Sequence, residues 1–323
     1  MKLHQLRDFV AVSHAGGIRA AARELGLTQP SLTKSIRQLE TSLGVPLFER
    51  TGRGLHRTEF GDALFVRASA VLADLQRATD EIRQLRGIWQ GRVTVSMSGT
   101  SLLNLLPGAL EVFRRRHPDV RVRIIERPLD QALEELRGGV LDFAVLPEPP
   151  ATIRDEFRFD PLLTDRYAVV GRAAHPLSSA TSIVELLDTE WVVTRQGGAS
   201  AAEFERYFAA LRLTAPSVSI QCETVLGVLS LLAHTDLLAL LPSRWLHTRI
   251  TRNVSAEIHV AEHVQTTPIG IIQRRSAPLS PAAEAFAAAL VVESREVERA
   301  SPVTTPPRRT PRRASSPPRA GRR

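Results

Sequence analysis

Small polar and basic side chains are concentrated between Gln29 and Arg37. Lys34 and Arg37 can pair with phosphate groups or with the edges of guanine, and the amide of Gln29 can pair with adenine. The same set includes Pro30, Ser31 and Thr33. These residue types suit contact with DNA, although an ordinary solvated helix surface has a similar composition.

Arginine recurs just downstream, around two glycines that indicate a turn. Arg50 and Arg53 flank Gly52. Arg57 follows Gly54. An arginine on a hairpin can enter the minor groove of DNA, where narrow A·T tracts concentrate negative potential. Such a hairpin beside a helix that reads bases is a wing, so this segment favours DNA binding over a solvated surface.

A second group of polar residues follows the ends of predicted strands in the rest of the chain. Open α/β sheets bind small molecules beyond the carboxyl ends of their strands. Hydroxyl and backbone N–H groups at a helix start favour an anion, although Asp130 and Glu223 would oppose an anion placed close to them. Each position alone fits a cap or a turn, and their shared placement is what predicts an effector site. The candidates are Ser98, Thr100, Ser101, Arg127, Gln196, Gly197, Glu223 and Thr224.

The sequence offers no recognisable set of residues for catalysis or for metal binding. It has no glycine-rich nucleotide loop and no serine-nucleophile elbow, and its nine histidines are scattered. Cys222 is the single cysteine, which excludes an intrachain disulfide and disfavours redox sensing for want of a second thiol. We therefore predict no enzyme activity, no metal and no cofactor beyond a small organic effector, for which an anion is the better candidate.

Three short helices position the N-terminal candidates. Apolar residues at helical spacing begin at Leu3 and stop at Gly16, a second helix is predicted over Ile18–Leu25, and a third begins after Thr28 and ends near Ser42. The third helix carries an apolar stripe on the face opposite to its polar residues. The stripe consists of Leu32, Ile36, Leu39 and Leu43.

The run from Glu24 to Gly61 resembles the DNA-binding domain of the LysR-type transcriptional regulators; it reads ELGLTQPSLTKSIRQLETSLGVPLFERTGRGLHRTEFG. The resemblance implies a winged helix-turn-helix with 29–42 as recognition helix. It also implies base and phosphate contacts from the polar set on that helix and from Arg53 on the wing. Gly17 departs from the family pattern, because a serine commonly caps the preceding helix and glycine is a weaker cap.

A proline-free stretch from Glu59 to Trp89 predicts a long connecting helix. Its apolar residues alternate spacings of four and three, a heptad pattern typical of a helix that pairs along a narrow seam. In the resembling family this linker helix forms a dimer, which suits a palindromic operator, and we expect a homodimer or homotetramer. A helix packed only on its own domain is the alternative. The seam comprises Leu64, Ala68, Val71, Leu75, Ala78, Ile82 and Leu85.

Strands and helices alternate between 91 and 298, which predicts mostly parallel sheets covered by helices. A first lobe covers 91–161 and 267–298, with helices over 102–117 and 281–296, and a second lobe covers 162–266. The fold class is therefore α/β with an all-α N-terminal part and a two-lobed effector domain like the type 2 periplasmic binding proteins. The predicted domains are 1–58 (DNA-binding), 59–89 (linker), 90–298 (effector-binding) and 299–323 (tail).

Charge is distributed unevenly along the chain. Residues 1–58 hold nine Lys or Arg against four Asp or Glu, whereas residues 91–298 hold 21 Arg against 25 Asp or Glu. A polyanion partner is thus indicated for the N-terminal part alone. Residues 299–323 hold eight Arg and no acidic residue, and their Pro, Ser and Thr cannot build a core, which predicts a disordered tail. That tail either adds weak, salt-sensitive DNA affinity or has no function.

No apolar run is long enough to span a bilayer, and the N-terminus lacks the apolar core of a signal peptide. A cytoplasmic protein is expected. Together these features predict a sequence-specific DNA-binding regulator that a small effector controls from a cleft between two lobes. The alternatives are an enzyme or solute-binding protein based on 91–298, and an architectural DNA-binding oligomer without effector.

Overall fold

The computed structural model describes residues 1–51, 54–194, 201–251 and 254–300 of the 323-residue chain. They form a helical N-terminal domain, a long connecting helix and two α/β lobes. Across these ranges, no helix combines the length and the apolar character needed to cross a membrane.

The N-terminal domain is a winged helix-turn-helix, as predicted. It consists of α1 (Leu3–Ala15), α2 (Ile18–Leu25), α3 (Gln29–Leu43) and an antiparallel hairpin of β1 (Phe48–Thr51) and β2 (Gly54–Arg57). Each of the three helices ends at a glycine with a positive φ, a conformation that glycine adopts without steric cost. The chain can therefore turn sharply after each helix, and the three helices pack around one core.

That core buries the predicted apolar stripe of α3 with one exception. Leu32, Ile36 and Leu39 are at most 4% exposed and pack with Phe9 of α1. Leu43, which the sequence assigned to the same stripe, is 39% exposed. It lies in the last turn of α3, where the helix has run past the buried cluster, so the stripe is one residue shorter than predicted.

The connecting helix α4 (Glu59–Leu85) begins at Thr58, whose hydroxyl accepts a hydrogen bond from the Gly61 N–H at 3.1 Å. Its C-terminal half is bonded to the first lobe. Arg77 pairs with Asp142 at 3.4 Å, and the Gln84 side-chain oxygen accepts the N–H of Ala282 at 3.0 Å. The connecting helix is thus physically joined to the domain that would sense an effector.

The remaining elements form the two lobes. Lobe I begins with β3 (Gly91–Met97), α5 (Gly99–Asn104), α6 (Leu106–Arg116), β4 (Val120–Ile125), α7 (Leu129–Arg137), β5 (Phe143–Pro147) and β6 (Phe157–Leu163). Lobe II contains β7 (Tyr167–Arg172), β8 (Trp191–Thr194), α8 (Ala201–Ala210), β9 (Val218–Cys222), α9 (Val225–His234), β10 (Ala239–Pro242) and β11 (Ser255–Ile258). The chain returns to lobe I through β12 (Ile269–Arg274) and α10 (Pro281–Ala300).

Lobe I is built on a five-stranded sheet of order β4-β3-β5-β12-β6. Strands β3, β4 and β5 are parallel, whereas β12 runs antiparallel to both of its neighbours. Strand β6 was not predicted, and it extends lobe I to Leu163, two residues beyond the expected boundary at 161. The helix predicted over 102–117 is two helices that meet at Leu105, because Pro107 has no N–H to continue the helical bonding.

Lobe II departs from the predicted parallel arrangement. Strand β7 lies between β10 and β11 and is antiparallel to both, so the parallel order holds only for the pair β8–β9. A bridge from Trp191 to Leu238 continues the pairing from β8 toward β10. Strand β11 was not predicted. Helix α10 runs to Ala300 rather than to 296, and residues 301–323 of the predicted tail lie outside the described part of the chain.

Candidate DNA interface and interlobe cleft

The polar face of α3 is presented to solvent as the sequence suggested. Thr28 caps the helix by accepting the Ser31 N–H at 3.4 Å. Thr33 is half-buried because its hydroxyl bonds back to the Gln29 carbonyl at 2.9 Å. Exposed positions of this face are Gln29, Pro30, Ser31, Lys34, Arg37, Gln38 and Thr41. Gln38 extends the face beyond the predicted set, and its place one residue after Arg37 was the signal available in the sequence.

Two cations on this face are without acidic partners. Lys34 and Arg37 are exposed, and within the described ranges neither forms an ion pair. They lie in one shallow depression together with Gln29 and Thr33. Charges that are not already compensated within the protein can bind phosphate without first breaking an internal bond.

Buried polar bonds hold α3 in place. The Asp8 carboxylate, 3% exposed on α1, accepts the Ser35 hydroxyl at 2.6 Å from the inner side of α3. At the other end of α3, the Glu40 carboxylate accepts the N–H of Leu47 at 2.8 Å. The first bond fixes α3 against α1, and the second fixes it against the segment that leads into the wing.

The wing is present, but its predicted contact residues are only partly defined. Arg53 lies outside the described residues, and so does the side chain of Arg50. Arg57 is not available for DNA, because its guanidinium pairs with Asp62 at 2.6 Å and lies 4.3 Å from the centre of the Phe65 ring. It anchors β2 to the start of α4 instead.

The predicted seam of α4 divides into two parts. Leu64 and Ala68 pack into the core of the N-terminal domain, which corrects their assignment to the seam, because the first turns of α4 close that core. The side chains further along the helix are exposed to solvent although they are apolar. These exposed seam residues are Val71, Leu75, Ala78, Ile82 and Leu85. An exposed apolar row of this kind marks a surface that buries itself against a partner.

A cleft of about 480 Å³ lies between the lobes, where β3, β4 and β5 of lobe I end. Its apolar walls are formed by Pro128, Leu129, Leu146, Pro147, Pro150, Tyr167, Pro242 and Ile269. The charged residues that line it are Glu126, Arg127, Glu148, Asp165, Glu203 and Arg206. A pocket with apolar walls and few polar groups is typical of a small-molecule site.

Three of the predicted effector residues line this cleft, namely Ser98, Thr100 and Arg127. The hydroxyl of Thr100 accepts a hydrogen bond from the indole N–H of Trp245 at 2.9 Å, which joins lobe I to lobe II. Arg127 pairs with Glu135 at 2.9 Å, within its own lobe. The cleft is thus where the sequence placed it, and several of its polar groups are already bonded.

Three of the other predicted effector residues do not line the cleft. Ser101 is fully buried and donates its hydroxyl to the Val145 carbonyl at 3.1 Å, so it is part of the core of lobe I. Thr224 caps α9 by accepting the Gly227 N–H at 3.1 Å, and Glu223 just before it is not among the lining residues. Gln196 and Gly197 lie outside the described residues.

Sequence reasoning missed four of the acidic groups that line the cleft. Glu126 directly precedes the predicted Arg127, and that adjacency was a usable signal. Asp165 lies on the segment that crosses from β6 to β7, and its carboxylate accepts the Ser243 hydroxyl at 2.6 Å and the N–H of Arg244 at 3.1 Å. Glu203 and Glu148 come from α8 and from the end of β5, and nothing in the sequence pattern linked them.

Burial changes the acid–base behaviour of two cleft residues. Glu126 has one carboxylate oxygen, Oε1, that is closed to solvent and has no hydrogen-bond partner, and burial raises the pKa of this carboxyl above its ordinary value. Burial also raises the pKa of Tyr167, as does the neighbouring Glu203, to which its hydroxyl is hydrogen-bonded. Both groups therefore favour their protonated forms more than they would in water.

Comparison with known protein families assigns both parts of the chain. Residues 3–62 match the family described as bacterial regulatory helix-turn-helix protein, lysR family, and residues 86–294 match the LysR substrate binding domain. The two matches include the three N-terminal helices, the hairpin, the elements from β3 to β12 and most of α10, whereas most of α4 lies between the two matched ranges. They cover the polar face of α3 and the interlobe cleft.

Curated relatives share this organisation over most of their length. The chain is 29% identical over 287 residues to the transcriptional regulator GalR of Pseudomonas putida, covering 88% of this chain and 72% of the relative. It is 27% identical over 293 residues to the transcriptional regulator GbpR of Azospirillum brasilense, covering 90% and 86%.

Solved structures show the same fold. The crystal structure of CbnR, a LysR family transcriptional regulator, superposes with a TM-score of 0.64 at 23% identity, covering 91% of this chain and 99% of that one. A full-length OxyR variant from Pseudomonas aeruginosa superposes with a TM-score of 0.65 at 23% identity, covering 90% and 94%.

Proposed function

The chain belongs to the LysR family of bacterial transcriptional regulators, and from this premise we propose that Lys34 and Arg37 of α3 contact the operator directly. As a member of this family it is a DNA-binding regulator with an effector-binding domain and not an enzyme. The family matches cover whole domains and do not by themselves single out the contacting side chains. The single observation that carries our assignment is the pair of exposed cations on one face of α3 that form no ion pair with any described acidic residue.

The rest of the face orients those two cations. Because Asp8 holds the middle of α3 and Glu40 joins its C-terminal part to the segment before the wing, the polar side of α3 can enter a major groove as a rigid unit. Gln29 and Thr33, which share the depression, offer hydrogen-bonding groups to base edges. We assign Pro30 and Ser31 to the same contact surface and Arg50 and Arg53 to the wing.

We further propose that α4 pairs two copies of the chain. Residues 1–58 would bind DNA, 59–89 would pair, and 90–298 would bind the effector. The exposed seam residues Leu75 and Ile82, 49% and 61% exposed, support this division. Paired chains place two α3 helices on a two-fold axis and so match an interrupted palindrome. A regulator of chromosomal DNA works in the cytoplasm, where we propose that this chain acts.

Effector control is proposed to pass through the bonds between lobe I and α4. A ligand in the cleft would contact both lobes, which the Trp245–Thr100 hydrogen bond already connects. Lobe I in turn holds α4 through Arg77 and Asp142. A change in lobe closure would therefore move α4 and with it the spacing of the paired DNA-binding domains.

The test replaces both cations of α3 in the full chain. Lys34→Ala/Arg37→Ala should weaken binding to the DNA upstream of the regulator's own gene by about 100-fold or more, since each lost contact costs about 1–3 kcal/mol. The slope of log affinity against log salt should fall by about 2, because two phosphate contacts are lost. Fluorescence anisotropy measures both quantities.

The matched control is Arg115→Ala/Arg116→Ala, which removes the same charge from exposed positions on α6, far along the chain from α3. It should bind DNA as wild type does, and both variants should keep the circular dichroism spectrum of the parent. Undiminished DNA affinity in the α3 double variant would show that another surface reads the operator.

A further inference from the structure

The charge of the interlobe cleft limits which ligands it can hold, and this step rests on the proposed role of the cleft as effector site. Four carboxylates line the cleft as the described residues form it, against two guanidinium groups. The carboxylates belong to Glu126, Glu148, Asp165 and Glu203. Because much of the wall is apolar, this excess of negative charge is screened less than on an open surface, although Glu148 is paired with Arg154 at 3.1 Å. An anion entering the cleft would be repelled.

Neither guanidinium is free to compensate an anion. Arg127 is paired with Glu135 at 2.9 Å and also donates to the Glu126 carbonyl at 3.1 Å. Arg206 is exposed on α8 and lies 3.8 Å from the Glu203 carboxylate. An anionic ligand would have to share each of these arginines with a carboxylate that is already beside it.

The hydroxyls that the sequence offered to an anion are also occupied. Ser98 caps α5 by accepting the Ser101 N–H at 3.4 Å. Thr100 accepts the indole N–H of Trp245 at 2.9 Å. The helix start after β3 is therefore bonded within the protein.

One lining group lacks a partner, and it is an acceptor. Oε1 of Glu126 is closed to solvent and has no hydrogen-bond partner among the residues described. A buried acceptor without a donor costs free energy until a donor reaches it. Burial raises the pKa of this carboxyl, and a nearby positive charge would lower it again by favouring the ionised form.

We infer that the cleft binds a small organic cation, whose N–H group donates to Glu126 while an apolar body lies between Leu146, Pro147 and Ile269. Such a ligand supplies both things that the cleft lacks, a donor for Oε1 and a positive charge. Its apolar part matches the walls. This replaces the organic anion that the sequence suggested.

Three probes of matched shape test the charge preference on the full chain: benzylamine, benzyl alcohol and benzoate. Benzylamine should bind at least about tenfold more tightly than either of the others, because only it carries a charge opposite to that of the cleft. Titration followed by tryptophan fluorescence and by thermal shift measures the three affinities. Benzoate or benzyl alcohol binding as tightly as benzylamine, or no response to millimolar benzylamine, overturns the inference.

Two variants test whether Glu126 is responsible for the preference for benzylamine. Glu126→Gln keeps the shape of the side chain and removes its charge, so benzylamine affinity should fall by about tenfold. Glu205→Gln makes the same change at an exposed position of α8 that does not line the cleft and should leave that affinity unchanged. Wild-type benzylamine affinity in Glu126→Gln contradicts the proposed contact.

Binding of benzyl alcohol or benzoate in place of benzylamine would overturn the ligand class and leave the cleft as effector site, and the same wild-type sample also tests the DNA contacts separately. Its affinity for operator DNA without any probe reports the assigned DNA contacts alone. Normal operator binding together with tighter binding of benzoate would overturn only the ligand class. Loss of the charge preference therefore cannot be mistaken for failure of the DNA-binding proposal.

Discussion

The polar face of α3 and the interlobe cleft both contain arginine, but they differ in what those arginines are bonded to. Arg37 has no acidic partner within the described chain and is exposed beside Lys34. Arg127 in the cleft is paired with Glu135 and is half-buried. An uncompensated cation is available to a ligand, whereas a paired one must first be released. The first surface therefore suits a polyanion, and the second does not.

The carboxylates of the two regions differ in the opposite sense, because here it is the N-terminal domain that holds the hydrogen-bonded group. Asp8 is almost fully buried in the N-terminal domain, and the Ser35 hydroxyl satisfies one of its oxygens. Glu126 is half-buried, and its Oε1 has no hydrogen-bond partner among the residues that the structure describes. A buried carboxylate with partners fixes the fold, while one without a partner leaves a place for a ligand donor. Whether a charged group already has a bonding partner, more than whether the group is present, distinguishes a residue that holds the fold from one that can bind a ligand.

The largest effect on stability is expected where a variant removes a hydrogen-bond donor from a buried carboxylate. Ser35→Ala leaves the buried Oδ2 of Asp8 without that donor, while Arg7 stays 3.4 Å from Oδ1, and the free energy of unfolding should fall by about 2 kcal/mol. Operator affinity should fall as well, because α3 loses its bond to α1. Urea denaturation and anisotropy measure the two effects.

Ser13→Ala is the control for that prediction. The Ser13 hydroxyl donates to the carbonyl of Phe9 in its own helix, so its loss affects neither α3 nor a buried charge. The change in unfolding free energy should stay within about 0.5 kcal/mol. Equal losses for the two variants would mean that the Asp8–Ser35 bond contributes nothing special to the domain.

The second prediction removes a charge rather than a hydrogen bond. Because the pKa of Glu126 is raised in the folded protein, the folded state holds this proton more tightly than the unfolded state. Wild-type stability should therefore fall as pH rises from the ordinary glutamate pKa through the raised one, relative to Glu126→Gln. Above that interval the variant should be the more stable protein, by a margin that the partial exposure of residue 126 to solvent keeps small.

Urea denaturation of both proteins across this pH range gives the comparison. Glu205→Gln serves again as control, since its carboxyl is exposed, and its curve should run parallel to that of the wild type. If the Glu126→Gln curve also runs parallel to wild type at every pH, the carboxyl is not buried as described, and the contrast with Asp8 fails.

The α3 face and the interlobe cleft also differ in how much of their structure could be predicted from the sequence. The α3 face was predictable because one helix carries all of its residues, and helical periodicity separates Lys34 and Arg37 from Leu32 and Ile36. Periodicity also predicted most strands of both lobes. It could not predict the antiparallel β11, since a short strand with little apolar alternation gives no such signal.

The cleft was less predictable because it is assembled from separate segments. Ser98, Thr100 and Arg127 follow strand ends, which the general rule for α/β sheets identifies. Asp165 and Glu203 are brought in by the crossing from β6 to β7 and by α8, and only the three-dimensional path of the chain joins them. Ser101 and Thr224 were overpredicted, because a hydroxyl that caps a helix and one that binds a ligand look alike in sequence.

The smallest predicted effect concerns the one helix of the N-terminal domain that begins at a glycine. Gly17 precedes α2 with an extended φ of 176°, offers no side-chain cap, and has open space where a Cβ would be. Gly17→Ser should let a hydroxyl accept a backbone N–H of the first turn and raise the free energy of unfolding by about 0.3 kcal/mol.

The neighbouring Gly16 has a φ of 65°, so Gly16→Ser should instead lower that free energy by about 1 kcal/mol. Because neither change touches a charge of α3, operator affinity should remain that of the wild type in both. A change in affinity without a change in fold would mean that the start of α2 itself contacts DNA and that the interface extends beyond the α3 face.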